Sequence, residues 1–172
     1  MTTDRVSIAS APEQKEEVKV LAVVCRETVQ EIGDLTIPAP PGIIFDTKSG
    51  QLKQKVTLEL AGSPQTRTVT ILPGKAINQG VVPVRLLADG QVVIQLLEIP
   101  FQSVLECPGA EPGDVLQKHD FQVEGFSLSP IQLLNGDMCT FRLHLILKVV
   151  VKTCVVVGRE TILRVDAARP FC

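Results

Sequence analysis

Residues 138–157 read MCTFRLHLILKVVVKTCVVV, and this stretch limits the possible folds more than any other. Phe141, Leu143, Leu145, Leu147, Val149 and Val151 fall on one side of an alternating pattern, while Thr140, Arg142, His144, Ile146, Lys148, Val150 and Lys152 fall on the other. A period of two separates the sets onto the two faces of a half-buried strand, so Phe141 through Val149 are expected to face a core. Arg142, His144, Lys148 and Lys152 interrupt the run too often for a bilayer-spanning segment, which needs ~20 nearly uncharged residues. The segment is expected to be the central strand of a β-built chain.

Shorter runs repeat the pattern between turn signals. Residues 18–25, 51–60, 67–72, 75–87, 91–97 and 115–128 read as strands, and residues 160–165 as a strand returning from a hairpin broken at Gly158. Pro38, Pro40, Pro41 and Gly42 mark EIGDLTIPAPPG as a loop, with pairing resuming over residues 43–45. Asp89-Gly90 is the φ-positive pair of a tight hairpin, and Pro83 places a bend or an edge in its strand. Residues 98–114, with Pro100, Pro108 and Pro112, read as an extended, turned crossing. No segment has a helical period of useful length. The expected fold is all-β: a single antiparallel β-sandwich over residues 18–166, an extended N-terminal arm over 1–17, and a tail over 167–172 ending in Cys172.

At 172 residues the chain can bury roughly two thirds of its unfolded surface, so it folds without a staple. The net charge of −2 and the scattered Lys and Arg residues provide neither a phosphate-tracking groove nor a basic membrane-binding helix. No nucleic-acid or membrane partner is therefore expected. Trp and Tyr are absent and aromatic residues make up 3%, which removes the usual stacking platforms for sugars and bases.

Catalytic chemistry finds little support. His119 and Asp120 are adjacent and would point to opposite faces of a strand, and His144 lies on the polar side of the central strand with Arg142 and Lys148. There is no nucleophile elbow, phosphate loop or pair of positioned carboxylates. Glu98, Glu106, Glu111 and Asp114 surround Pro/Gly-rich turns, but their spacing does not match a calcium loop, and they read as solvated. No enzyme activity, cofactor or metal is expected.

The five cysteines, Cys25, Cys107, Cys139, Cys154 and Cys172, lack zinc-site spacing. Each can serve as a small buried hydrophobe, and in an oxidising place the odd count leaves a sulfur for another chain. On one uninterrupted strand Cys139 and Cys154 would stand about 50 Å apart at ~3.3 Å per residue, far beyond the ~7 Å between Cα atoms that a disulfide spans. Cys172, at the C-terminus, is the leading candidate for an inter-subunit cross-link and Cys25 the next; Cys107, Cys139 and Cys154 are further disulfide candidates. The opening residues, MTTDRVSIASAPEQKEE, contain no apolar signal region, which implies synthesis in a cytoplasm without a signal peptide.

Within the arm, Val6 and Ile8 alternate with Ser7 and Ala9, and Pro12 ends the segment. Sheet edges accept an added strand. Residues 3–11, with Val6 and Ile8 as strand-addition residues, are expected to lie against a neighbouring subunit head to tail, a contact that gives an open filament when it does not close. A fold-back onto the arm's own domain and a disordered tail are the alternatives.

From residue 37 to about 165 the chain resembles the SPOCS domain family, β-rich domains associated with the spores of endospore-forming Firmicutes. TILPGKAINQGVVPVRLL (70–87) and FQVEGFSLSPIQLLNGDMCTFRLHLILKVVV (121–151) carry part of the likeness; LADGQVVIQLLEIPFQSVLECPGAEPGD (87–114), with its successive IPF, PGA and PGD, is the most specific stretch. The resemblance implies a role in the spore coat or envelope, accumulation in the mother-cell cytoplasm, and a final place at the spore surface or outside the cell. Oxidant met after mother-cell lysis would reconcile cytoplasmic synthesis with later disulfides. The chain lacks a LysM-like wall-binding region, which turns the expectation toward a structural subunit that self-assembles into a filament or appendage-like fibre. Its partners would be copies of itself and other spore coat proteins. The alternative is a non-polymerising module that docks onto a coat morphogenetic protein.

Overall fold

The computed structural model describes residues 15–46, 48–134 and 141–166. Seven strands make up the described chain: β1 (Lys15–Pro38), β2 (Val56–Leu60), β3 (Gln65–Leu72), β4 (Lys75–Ala88), β5 (Gln91–Glu106), β6 (Val115–Leu134) and β7 (Phe141–Asp166). All pairings are antiparallel, in the order β2-β4-β5-β1-β7-β6 with β3 also on β4. The fold is all-β and sandwich-like, as the period-two pattern and turn spacing imply.

The sheet turns back on itself where β1 meets β5 at the pair Gly33↔Phe101. A Cβ on Gly33 would sit 2.5 Å from the Pro100 carbonyl oxygen, so only glycine lets the two backbones come this close. On one side of the join lie β2 to β5, on the other β1, β7 and β6. Their inner faces meet in a core of Leu58, Val82, Val84, Leu86, Ile99, Phe101, Leu145, Leu147, Val149 and Val151. At the open side Leu58 of β2 and Phe126 and Leu128 of β6 line the gap between the ends of the strand order.

Several local signals act as expected. Asp89 and Gly90 have φ of 48° and 80° and turn β4 into β5. Pro83 lies where the outer neighbour of β4 changes from β3, which pairs up to Val81, to β2, which pairs from Val84. Its carbonyl accepts from the Ala61 N–H at 2.9 Å, and its missing N–H falls in this break rather than in a ladder.

Five expectations are corrected. The stretch EIGDLTI belongs to β1, because Glu31, Gly33, Leu35 and Ile37 alternate inward opposite β7. Residues 98–106 extend β5 through Pro100 instead of forming a crossing. Gly158 does not break a hairpin: β7 runs through it, and the missing side chain makes room for Leu21, whose Cγ would lie 2.6 Å from a Cβ there. Phe141 is 63% exposed and lies beyond the end of the β1 ladder at Pro38↔His144. Leu145, Leu147, Val149 and Val151 are fully buried on the expected face. Residues 15–17 belong to β1 rather than to the arm; residues 1–14, with Val6 and Ile8, and the tail 167–172 lie outside the described residues.

Candidate self-association surface

β1 and β7 outrun their neighbours. Their ladder reaches from Pro38↔His144 to Lys15↔Asp166, whereas β6 leaves β7 at Val115↔Gly158 and β5 touches β1 only near Gly33. Beyond Gly158 the two strands therefore form a ribbon with both outer edges unpaired among the described residues. The register, shifted by a bulge between Val23 and Cys25, decides which side chains share a face. One face carries Glu16, Val18, Val20 and Ala22 beside Val165, Leu163, Thr161 and Arg159; its apolar residues Val18, Leu163 and Val165 are 41%, 49% and 41% exposed. The other carries Ile162, 64% exposed, among ion pairs: Lys19 Nζ lies 2.6 Å from Glu160, and Arg164 Nε 3.1 Å from Glu17. Exposed pairs like these contribute little to stability, and among the described residues neither face belongs to either apolar cluster.

The base of the ribbon is tied down by side chains that converge from distant parts of the chain. Cys25 forms a disulfide with Cys107 across a Cα–Cα distance of 5.8 Å and a sequence separation of 82 residues. This corrects the expectation that Cys25 reaches another chain: the β1 bulge beside it and the turn after β5 bring the two sulfurs together within the subunit. The pair belongs to a second apolar cluster with Ala76, Leu105, Ala110, Val155 and Val157. Next to it Arg159 grips the 107–114 turn, with Nε and Nη2 donating to the Asp114 carboxylate at 2.8 and 2.9 Å and Nη2 donating to the Gly109 carbonyl at 2.9 Å. These bonds, together with the Glu111 backbone N–H, hold the Asp114 carboxyl below its ordinary range and raise the Arg159 guanidinium.

Between the two apolar clusters lies a polar layer that the sequence did not announce. Glu31 is 1% exposed, and its Oε1 accepts from Asn78 Nδ2 at 2.5 Å and from Ser103 Oγ at 2.7 Å. Thr153 of β7 is buried on the same inward face. A buried carboxylate is tolerated only when hydrogen bonds replace its water, and such a group penalises any strand slip that would separate it from its donors. The signal was hidden because Glu-Ile-Gly-Asp reads locally as a turn.

The remaining expected residues are scattered. Cys154 of β7 is half-buried and free, and Arg26 Nε donates to its Sγ at 3.4 Å, a contact that raises the guanidinium. Cys107, a disulfide candidate, is paired as described; Cys139 and Cys172 lie outside the described residues. His144 Nδ1 lies 3.3 Å from the Arg142 carbonyl, and His119 sits opposite Cys154 in the β6 ladder. The acidic residues around the 98–114 stretch do not converge: Glu98 pairs with Arg67, Glu106 with Lys75, and only Glu111 and Asp114 share a partner, Arg159. Among the described residues no group of His, Cys, Asp and Glu is arranged to hold a metal ion, and no helix is long and apolar enough to cross a membrane. Comparison of the chain with family models, with curated proteins and with solved structures finds no match.

Proposed function

We propose that this protein is a structural subunit that self-assembles into a filament or appendage-like fibre at the surface of an endospore, and that it is not an enzyme. The observation that carries the reading is the β1–β7 ribbon, which leaves the packed body with Val18, Leu163 and Val165 exposed on one face and, among the described residues, with two unpaired strand edges. Natural proteins normally guard such edges or use them for association, and exposed apolar patches mark interaction sites. The spore setting rests on the resemblance of residues 37–165 to SPOCS domains. In this reading copies of the chain are the main partners, and residues 1–14, with Val6 and Ile8, add a strand to the next subunit. Cys172 forms the covalent link between chains; Cys25 has no part in it, being paired with Cys107.

Negative-stain imaging of the purified protein, with and without reductant, tests the reading. Filaments or sheets are expected; discrete particles under both conditions would replace it with a non-polymerising module that docks onto a coat protein. Deleting residues 1–14 should leave a folded protein that no longer polymerises, and continued polymerisation would remove the arm as the linker. On non-reducing gels the oxidised protein should run as a ladder that Cys172→Ser shortens.

A further inference from the structure

The outer edge of the ribbon is coded for pairing with itself. Among the described residues β7 has no neighbour on this edge beyond Gly158, where β6 begins. The segment beyond it reads Arg-Glu-Thr-Ile-Leu-Arg-Val over residues 159–165. If a second copy of this segment is laid antiparallel beside the first about a two-fold axis through Ile162, Glu160 of each chain falls opposite Arg164 of the other. Thr161 falls opposite Leu163, and Ile162 meets itself. Both charge pairs are complementary and lie on the same face. That face already carries Lys19 beside Glu160 and Glu17 beside Arg164. Ion pairs would then run across the joint from Lys19 to Glu160 to Arg164 to Glu17, with the last two from the second copy. A shift by one residue places side chains on the wrong faces, and a shift by two sets Glu160 opposite Ile162, so the charges select this register.

We infer that residues 160–164 of β7 form an isologous contact with the same residues of a second copy, joining two ribbons into a continuous four-stranded sheet. Backbone N–H and C=O groups on this edge, which have no ladder partner among the described residues, supply the ladder, as in other strand-addition interfaces. A contact of this kind closes on itself and makes pairs, in contrast to the head-to-tail arm contact, which propagates. It rests on the reading that copies of this chain associate, but it uses a different surface from the arm.

Two single variants and their mixture test it in the full-length chain. Glu160→Arg alone sets Arg opposite Arg164 twice in a pair, and Arg164→Glu alone sets Glu opposite Glu160 twice; each should weaken pairing on the order of tenfold or more. A one-to-one mixture of the two variants restores both opposite-charge contacts and should recover pairing, as read by light scattering after size exclusion. Only a two-fold contact in this register predicts the rescue. Ile162→Cys provides a second readout that does not depend on charge, because its thiol lies at the axis and should give a cross-linked dimer on mild oxidation beyond that of the parent. Parental association by both single variants, failure of the mixture to recover, or absence of the extra Ile162→Cys cross-link would overturn the contact. If those results occur while the parent still forms filaments that depend on residues 1–14, the assembly proposal stands and only the ribbon contact is lost.

Discussion

The same strand lives two lives. Along β7, Leu145, Leu147, Val149 and Val151 are fully buried, flanked by β1 and β6 and covered by the facing strands β4 and β5. Farther along, Ile162, Leu163 and Val165 follow the same β-compatible chemistry and stand 64%, 49% and 41% exposed. The difference is the number of layers: in the body the two halves of one sheet lie face to face, whereas among the described residues the ribbon is one layer with one partner strand. A two-stranded ribbon is at best marginally stable alone, so within the subunit this one depends on its clamp.

Substitutions on the two halves of β7 test that comparison most directly. Leu145→Ala should lower the unfolding free energy by ~2–5 kcal/mol, since it removes fully packed side-chain volume. Leu163→Ala should change it by less than about 0.5 kcal/mol. Urea denaturation followed by far-UV circular dichroism checks both, and equal losses would mean that the ribbon is packed within the subunit.

The clamp sharpens the comparison. Replacing Cys25 and Cys107 together by serine opens a loop that spans 82 residues and should cost about 2–4 kcal/mol. Hydrogen exchange should reveal where the loss is felt: amides of residues 15–24 and 159–165 accelerate first, and those of residues 145–151 last. Uniform acceleration would show that the disulfide supports the whole sandwich rather than the ribbon.

The smallest effect is electrostatic. The Arg159 bonds and the Glu111 backbone N–H hold the Asp114 carboxyl below its ordinary value. Its contribution is therefore full above the unfolded-state pKa of about 3.9 and is lost as pH falls through the lower folded value. Ribbon amides near Arg159 should lose protection selectively in strongly acidic solution, once the intrinsic exchange rate is corrected for, and Asp114→Asn should produce the same loss at neutral pH. An Asp114→Asn protein with parental protection would show that Arg159 is held by Gly109 and Glu111 alone.

How much of this was legible in the chain depends on the range of the interaction. The alternation of residues 145–151, the Asp89-Gly90 turn and the break at Pro83 are local: side-chain period and backbone sterics act between neighbours, and they specify strands, faces and an all-β fold without help. The candidate surface was only partly visible. Residues 18–25 and 160–165 read as strands, but a hairpin at Gly158 was the natural expectation, because nothing adjacent in sequence reveals that Leu21 occupies the space above that glycine. Tertiary structure alone decided the three features that define the site. It brought Cys25 to Cys107 from 82 residues away, buried Glu31 against Asn78 and Ser103, and ended β5 and β6 short of the ribbon. Each of these is a meeting of segments distant in sequence, and a local pattern can state what a strand offers on each face but not which neighbour will be there to cover it.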